Sequence, residues 1–168
     1  MGVIHLIRHG RPAISGVLLG SSDIPLAGDV VPPLALPVDS VISSPLRRAI
    51  RSAELLFPAM PIVVLPEFAE RGLGEWETKS WDEVEAGWPE LAAKASVDWF
   101  GTTPPGAEPW PDFISRVERG WRSVPKAGST AIVAHAGVNA VLANLAGARD
   151  LMSFRQDYLE VISIAISD

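Results

Sequence analysis

The stretch that decides the fold is Val3-Ile4-His5-Leu6-Ile7-Arg8-His9-Gly10. Its first five residues are nearly continuous apolar, the pattern of a strand covered on both faces of a sheet. Arg8, His9 and Gly10 then break the run with two side chains that carry chemistry. The arrangement recurs once. Thr130-Ala131-Ile132-Val133-Ala134 reads as another covered strand, and it delivers His135 with Gly137 close behind. In open α/β sheets ligands bind outside the carboxyl ends of the strands, so His9 and His135 are expected to converge there. The third histidine, His5, lies inside the first strand and reads as a satisfied core residue.

Working outward, Ser40-Val41-Ile42-Ser43 is a further strand candidate, entered from a stretch holding Pro32, Pro33 and Pro37. It ends at Ser43-Ser44-Pro45, where either serine is placed to cap a helix with Pro45 in its first turn. That helix carries Leu46, Ala49, Ile50, Ala53, Leu56 and Phe57 on one side and stops at Pro58. Ile62 to Leu65 reads as a short strand. Residues 80 to 100 read as helical but broken at Pro89, and Asp112 to Val124 as another helix. Val138 to Leu145 follows as a helix closed by Gly147, and Val161 to Ile166 is the last strand. Apolar strands alternating with helical patterns predict an α/β fold, a three-layer α/β/α sandwich on a mostly parallel sheet.

At 168 residues, with no internal repeat and no dividing linker, residues 1–168 are expected to form one domain. The net charge of −6 argues against a nucleic-acid binder, whose footprint is an excess of Lys and Arg. The absence of cysteine excludes a disulfide scaffold and any thiolate metal site. No apolar run approaches the ~18 residues of a membrane-spanning helix, so no membrane partner is expected and the cytoplasm is the default location. Oligomeric state is open, a homodimer included.

Arginines supply the second functional signal. Arg8 and Arg11 flank His9, while Arg47 and Arg48 follow the strand end at Ser43. Guanidinium forks pair bidentately with phosphate oxygens, so a doubly charged phosphate suits such a cluster. The third signal is acidic: Glu67, Glu70, Glu75 and Glu77 fall in a glycine-containing loop, and a carboxylic acid there can protonate a leaving oxygen. Spacing alone does not choose among the four. A metal site at the histidines is disfavoured, because no HExxH or clustered acidic ligand run is present and nearby arginines would repel a cation. The six tryptophans, Trp76 to Trp121, read mostly as core and pocket wall.

Taken in order, these residues resemble the histidine phosphatase superfamily, in its phosphoglycerate mutase-like branch. Leu6-Ile7-Arg8-His9-Gly10 resembles the family's opening motif. Gly20-Ser21-Ser22-Asp23 resembles its substrate loop, and Ser43-Ser44-Pro45-Leu46-Arg47-Arg48-Ala49 its second motif. Glu70 before Gly74-Glu75-Trp76, and Ala134-His135-Ala136-Gly137, complete a set spread over nearly the whole chain. The resemblance implies a phosphoglycerate mutase-like fold and a metal-independent, cofactor-free, histidine acid-type phosphatase. Its substrate would be a small phosphorylated metabolite. By the same resemblance His9 is the nucleophile, Arg8, Arg48 and His135 hold the phosphate, and Glu70 is the general acid and base. The amides of Ala136 and Gly137 add donors, and Arg11 is a candidate for a second anionic group. Phosphoglycerate mutase-type transfer and protein phosphohistidine phosphatase activity are the alternatives, with a non-enzymatic phosphate-binding module behind them. The chain has Arg11-Pro12 where many members have Glu followed by Ser or Thr, and Thr78 where many have glycine.

Overall fold

A computed structural model describes residues 2–28 and 31–166. Strands β1 (Gly2–Arg8), β2 (Ser40–Ser43), β3 (Ile62–Val64), β4 (Gly128–Ala134) and β5 (Val161–Ile166) form one sheet in the order β3-β2-β4-β1-β5. All neighbours pair in parallel except β5, which runs antiparallel to β1 along the edge. Because β1, β2 and β4 point the same way, their carboxyl ends share one edge, and Arg8, Ser43 and Ala134 come to lie there together.

The pleat sorts each strand's side chains onto two faces. Ile4, Leu6, Ile132 and Ala134 join one core cluster, which is covered by α4 (Trp110–Arg122) and α5 (Ala136–Leu145). Ile7, Ala131 and Val133 face the other way with Val41, against Ala53 and Leu56 of α1 (Arg47–Leu56). Helices on both faces make three layers, as the alternation of patterns predicts. His5 is 7% exposed, and its ring bonds the hydroxyls of Ser163 at 2.7 Å and Ser129 at 3.0 Å. It is a satisfied core histidine.

A third cluster stands outside the sandwich. Helices α2 (Trp81–Gly87) and α3 (Pro89–Val97) are separated at Pro89, and they close around Trp76, which is fully buried. Ser80 and Glu83 form a reciprocal capping box at the start of α2. Leu18, Leu73 and Trp99 of this cluster line the cavity that holds His9 and His135. Among the described residues, no helix is long and apolar enough to cross a membrane.

Three helix starts differ from the sequence reading. The α1 helix starts at Arg47 with Leu46 as its N-cap residue, and no side chain caps it. The hydroxyls of Ser43 and Ser44 are committed elsewhere, Ser43 to the Ser44 carbonyl and Ser44 to His135. Helix α4 begins at Trp110 rather than Asp112, because Pro111 fits the first turn. Helix α5 begins at Ala136 rather than Val138, which puts two amides without intrahelical partners directly after His135.

Candidate active site

At the end of β1, the His9 amide donates to Ala134 O of β4 at 3.0 Å, so the two histidine-bearing strand ends are tied to each other. Gly10 N donates to Ser52 Oγ at 2.8 Å, and Ser52 Oγ donates to Arg48 O, which fastens α1 to the same point. His9 is 4% exposed, and its Nδ1 lies 2.6 Å from Gly10 O. A carbonyl only accepts, so Nδ1 carries the proton and Nε2 keeps the lone pair. Arg48 Nε donates to that Nε2 at 3.3 Å. Burial, with the Arg48 and Arg8 charges, brings the His9 pKa down to about 3. The ring is neutral near pH 7.

The His135 ring is 5.0 Å from that of His9 and is 1% exposed. Its Nε2 is 2.6 Å from Ser44 Oγ, which also accepts from Leu46 N at 3.2 Å. Nδ1 has no partner among the described residues, and in the tautomer in which the Ser44 hydroxyl donates to Nε2 it carries an unspent N–H. Burial and the cationic neighbours hold the His135 pKa well below its ordinary value. A neutral ring with one unspent donor beside His9 is suited to an anionic oxygen.

Arg48 is 1% exposed and fully directed: its other two nitrogens donate to Ser22 O at 2.6 Å and Gly20 O at 3.0 Å. Glu77 holds that carbonyl-bearing loop. Its carboxylate accepts from Ser21 N and Ser21 Oγ at 2.8 Å, from Leu73 N at 3.0 Å, and from the Ser22 hydroxyl. Despite its burial, these donors depress the Glu77 pKa. Gly20 takes φ +50°, and a Cβ there would come within 2.6 Å of Glu77 Oε1, so glycine is required. Arg8 donates from one terminal nitrogen to Gln156 O at 2.8 Å, and the Tyr158 ring lies 4.1 Å from its guanidinium carbon. Gln156 in turn donates to Leu6 O and Glu160 O and accepts from Asn139.

Glu70 stands across from the histidines. One carboxylate oxygen accepts from Arg71 N at 2.9 Å, the other from Gly137 N at 3.0 Å in the first turn of α5. Desolvation outweighs these amides and the two arginines, and raises the Glu70 pKa. Such an acid keeps its proton at a pH where an ordinary carboxyl has lost it.

These groups line one cavity of about 300 Å³. The structure brings together Arg8, His9, Arg48, Glu70, His135, Ala136 and Gly137, all at its wall. Arg11 and Arg47 do not line it. Both are exposed; Arg11 lies 5.9 Å from the centre of the Tyr158 ring, and Arg47 meets Asp23 through its backbone amide. Trp99 and Trp110 line the cavity, as pocket-wall tryptophans. Sequence reasoning missed Ser44 as a histidine partner, Gln156, Tyr158 and Arg71. For Ser44 the signal was legible, since it directly follows a strand end. The others lie in segments without periodicity. Among the described residues, no three His, Asp or Glu side chains are grouped so as to hold a metal ion.

Fold and site define an α/β protein with a cationic two-histidine anion site at the carboxyl edge of its sheet. The chain belongs to the histidine phosphatase superfamily, branch 1, whose profile matches residues 4–168. It is 29% identical over 126 residues to the adenosylcobalamin/alpha-ribazole phosphatase of Salmonella typhimurium, a match covering 68% of this chain. The chain spans 62% of that curated relative's length. An alpha-ribazole phosphatase from Shigella flexneri superposes with a TM-score of 0.80 at 26% identity, covering 98% of this chain and 91% of that one. A phosphoglycerate mutase from Thermus thermophilus does so at 0.75 and 27%, covering 96% and 91%.

Proposed function

We propose that the chain hydrolyses a small phosphomonoester through a phosphohistidine on His9, without a metal ion. The observation that carries this is the His9 ring: neutral, with its lone pair fixed on Nε2 by the Nδ1–Gly10 hydrogen bond and held only by a long contact from Arg48 Nε at 3.3 Å. In the first half-reaction, Nε2 forms a bond to phosphorus as the bond from phosphorus to the ester oxygen breaks. Glu70 gives its proton to that departing oxygen. Arg8, Arg48, His135 Nδ1–H and the Gly137 end of α5 surround the remaining oxygens and balance their charge. In the second half, water attacks phosphorus, returns a proton to Glu70, and breaks the N–P bond to release inorganic phosphate. Positive charge comes from the guanidiniums, so no step calls for a cation.

The test is hydrolysis of p-nitrophenyl phosphate in the presence of a chelator. Turnover that survives chelation and vanishes in His9→Ala, with an acid-labile phosphoenzyme trapped from wild type, supports the reading. An equally active His9→Ala variant removes it. Because the Salmonella and Shigella relatives are alpha-ribazole phosphatases, α-ribazole phosphate heads the panel of physiological substrates.

A further inference from the structure

The cavity has a second half that the phosphate chemistry does not use. Beyond the two histidines, Glu70 and the arginines Arg8 and Arg48, its walls are built largely from Ile14, Val17, Leu18, Leu73, Trp99 and Trp110. One more charged group lies in this part of the lining, Arg71. It offers almost nothing to a ligand. Arg71 is 3% exposed, and its nitrogens donate to Glu108 O at 2.7 Å and Thr102 O at 3.2 Å. Its guanidinium carbon lies 4.7 Å from the centre of the Trp110 ring and 5.8 Å from that of Trp99. The remaining terminal nitrogen has no hydrogen-bond partner among the described residues and no contact with solvent. The guanidinium therefore acts as a brace against the two indoles, held there by carbonyls and ring faces.

A leaving group bearing a carboxylate or a second phosphate would have to shed its water against these walls, where the one cation, Arg71, is 3% exposed and held by two carbonyls and the ring faces, which is unfavourable. A flat apolar body loses water there at a gain. The wall also belongs to the reacting end of the site, since Arg71 directly follows Glu70 and its amide holds that carboxylate. We infer that residues 14–18, Leu73, Trp99 and Trp110 form a leaving-group subsite selecting phosphomonoesters of uncharged alcohols with a flat apolar body, and rejecting anionic ones. Arg71 is the positioning residue of that wall. This rests on the phosphomonoester reading above, and it favours hydrolysis of such esters over phosphoglycerate mutase-type transfer.

The test is calorimetric binding of non-hydrolysable phosphonates to the full chain, which needs no turnover. An inactive protein would thus sink the hydrolase reading while leaving the subsite measurable. The expected order is 3-phenylpropylphosphonate tighter than propylphosphonate by about tenfold or more, with 3-phosphonopropionate no tighter than propylphosphonate. Trp99→Ala shrinks the phenylpropyl-to-propyl ratio toward one. Leu18→Ala, a milder truncation that leaves the backbone bonds of residue 18 in place, shrinks it in the same direction. A ratio near one in wild type, tighter binding of the carboxylate compound, or a ratio unmoved by both substitutions overturns the inference.

Discussion

Burial of His9 as a neutral ring has a consequence for acid stability that can be worked through. In the unfolded chain the imidazole takes a proton near its ordinary value of 6.5, and in the folded chain only near about 3. The folded pKa is depressed, so the unfolded chain binds the proton first as pH falls. Stability is therefore whole above about 6.5 and drains away down to about 3. The full difference corresponds to about 5 kcal/mol, and roughly 3 kcal/mol of it is lost between about pH 7 and pH 4. The perturbation is His9→Gln, which removes the titration and keeps a polar side chain. Urea unfolding of both proteins at about pH 7 and about pH 4 gives the comparison. Carboxylates and His135 titrate in both, so they largely cancel in the difference. Wild type should lose about 3 kcal/mol more than the variant over that interval. Equal losses would show that His9 is not held neutral by its surroundings, and the account of its lone pair would fall with it.

Three further perturbations probe separate parts of the site. In Gly137→Ala the new Cβ would collide with the Glu70 carboxylate, so kcat should fall about 100-fold on alkyl phosphates and far less on p-nitrophenyl phosphate, which leaves without a proton; steady-state rates on both decide it, and equal losses would refute it. Glu77→Ala frees the loop that directs Arg48 and should cost about 2–3 kcal/mol in urea unfolding, with kcat/KM down about tenfold or more and Glu77→Gln recovering most of both. Thr78 is a β-branched residue at φ +62°, in the left-handed region. Thr78→Gly should raise the unfolding free energy by about 0.5–1 kcal/mol, and a loss on the same denaturation curve would contradict that strain.

What could be read in the sequence was whatever a strand end delivers. His9 and His135 each follow a covered strand, and the direct parallel pairing of β1 with β4 brings those ends together whatever the loops do. Arg48 was separable from Arg47 only by resemblance, because adjacent residues on a helix differ by face, and the face depends on where the helix begins. The structure starts that helix at Arg47, which buries Arg48 and leaves Arg47 in solvent. Arg11 lies outside the cavity lining for the related reason that a residue just past a strand end is aimed by its loop. Tyr158, Gln156 and Arg71 were illegible, because each owes its place to a contact made from far along the chain. The Arg8 bond to Gln156 spans 148 residues, and no local pattern records it.

The position of β1 also bears on how the chain comes off the ribosome. Strand β1 sits between β4 and β5, whose partner residues are 128–134 and 161–166. A nascent chain therefore carries Gly2–Arg8 as an unpaired, mostly apolar strand until residues 128–134 and 161–166 have been made. Pairings this distant in sequence close slowly, and a bare strand edge is a template for wrong partners in the meantime. The exposure that chaperones must cover falls on β1, and it is lifted only when β4 and β5 have both emerged.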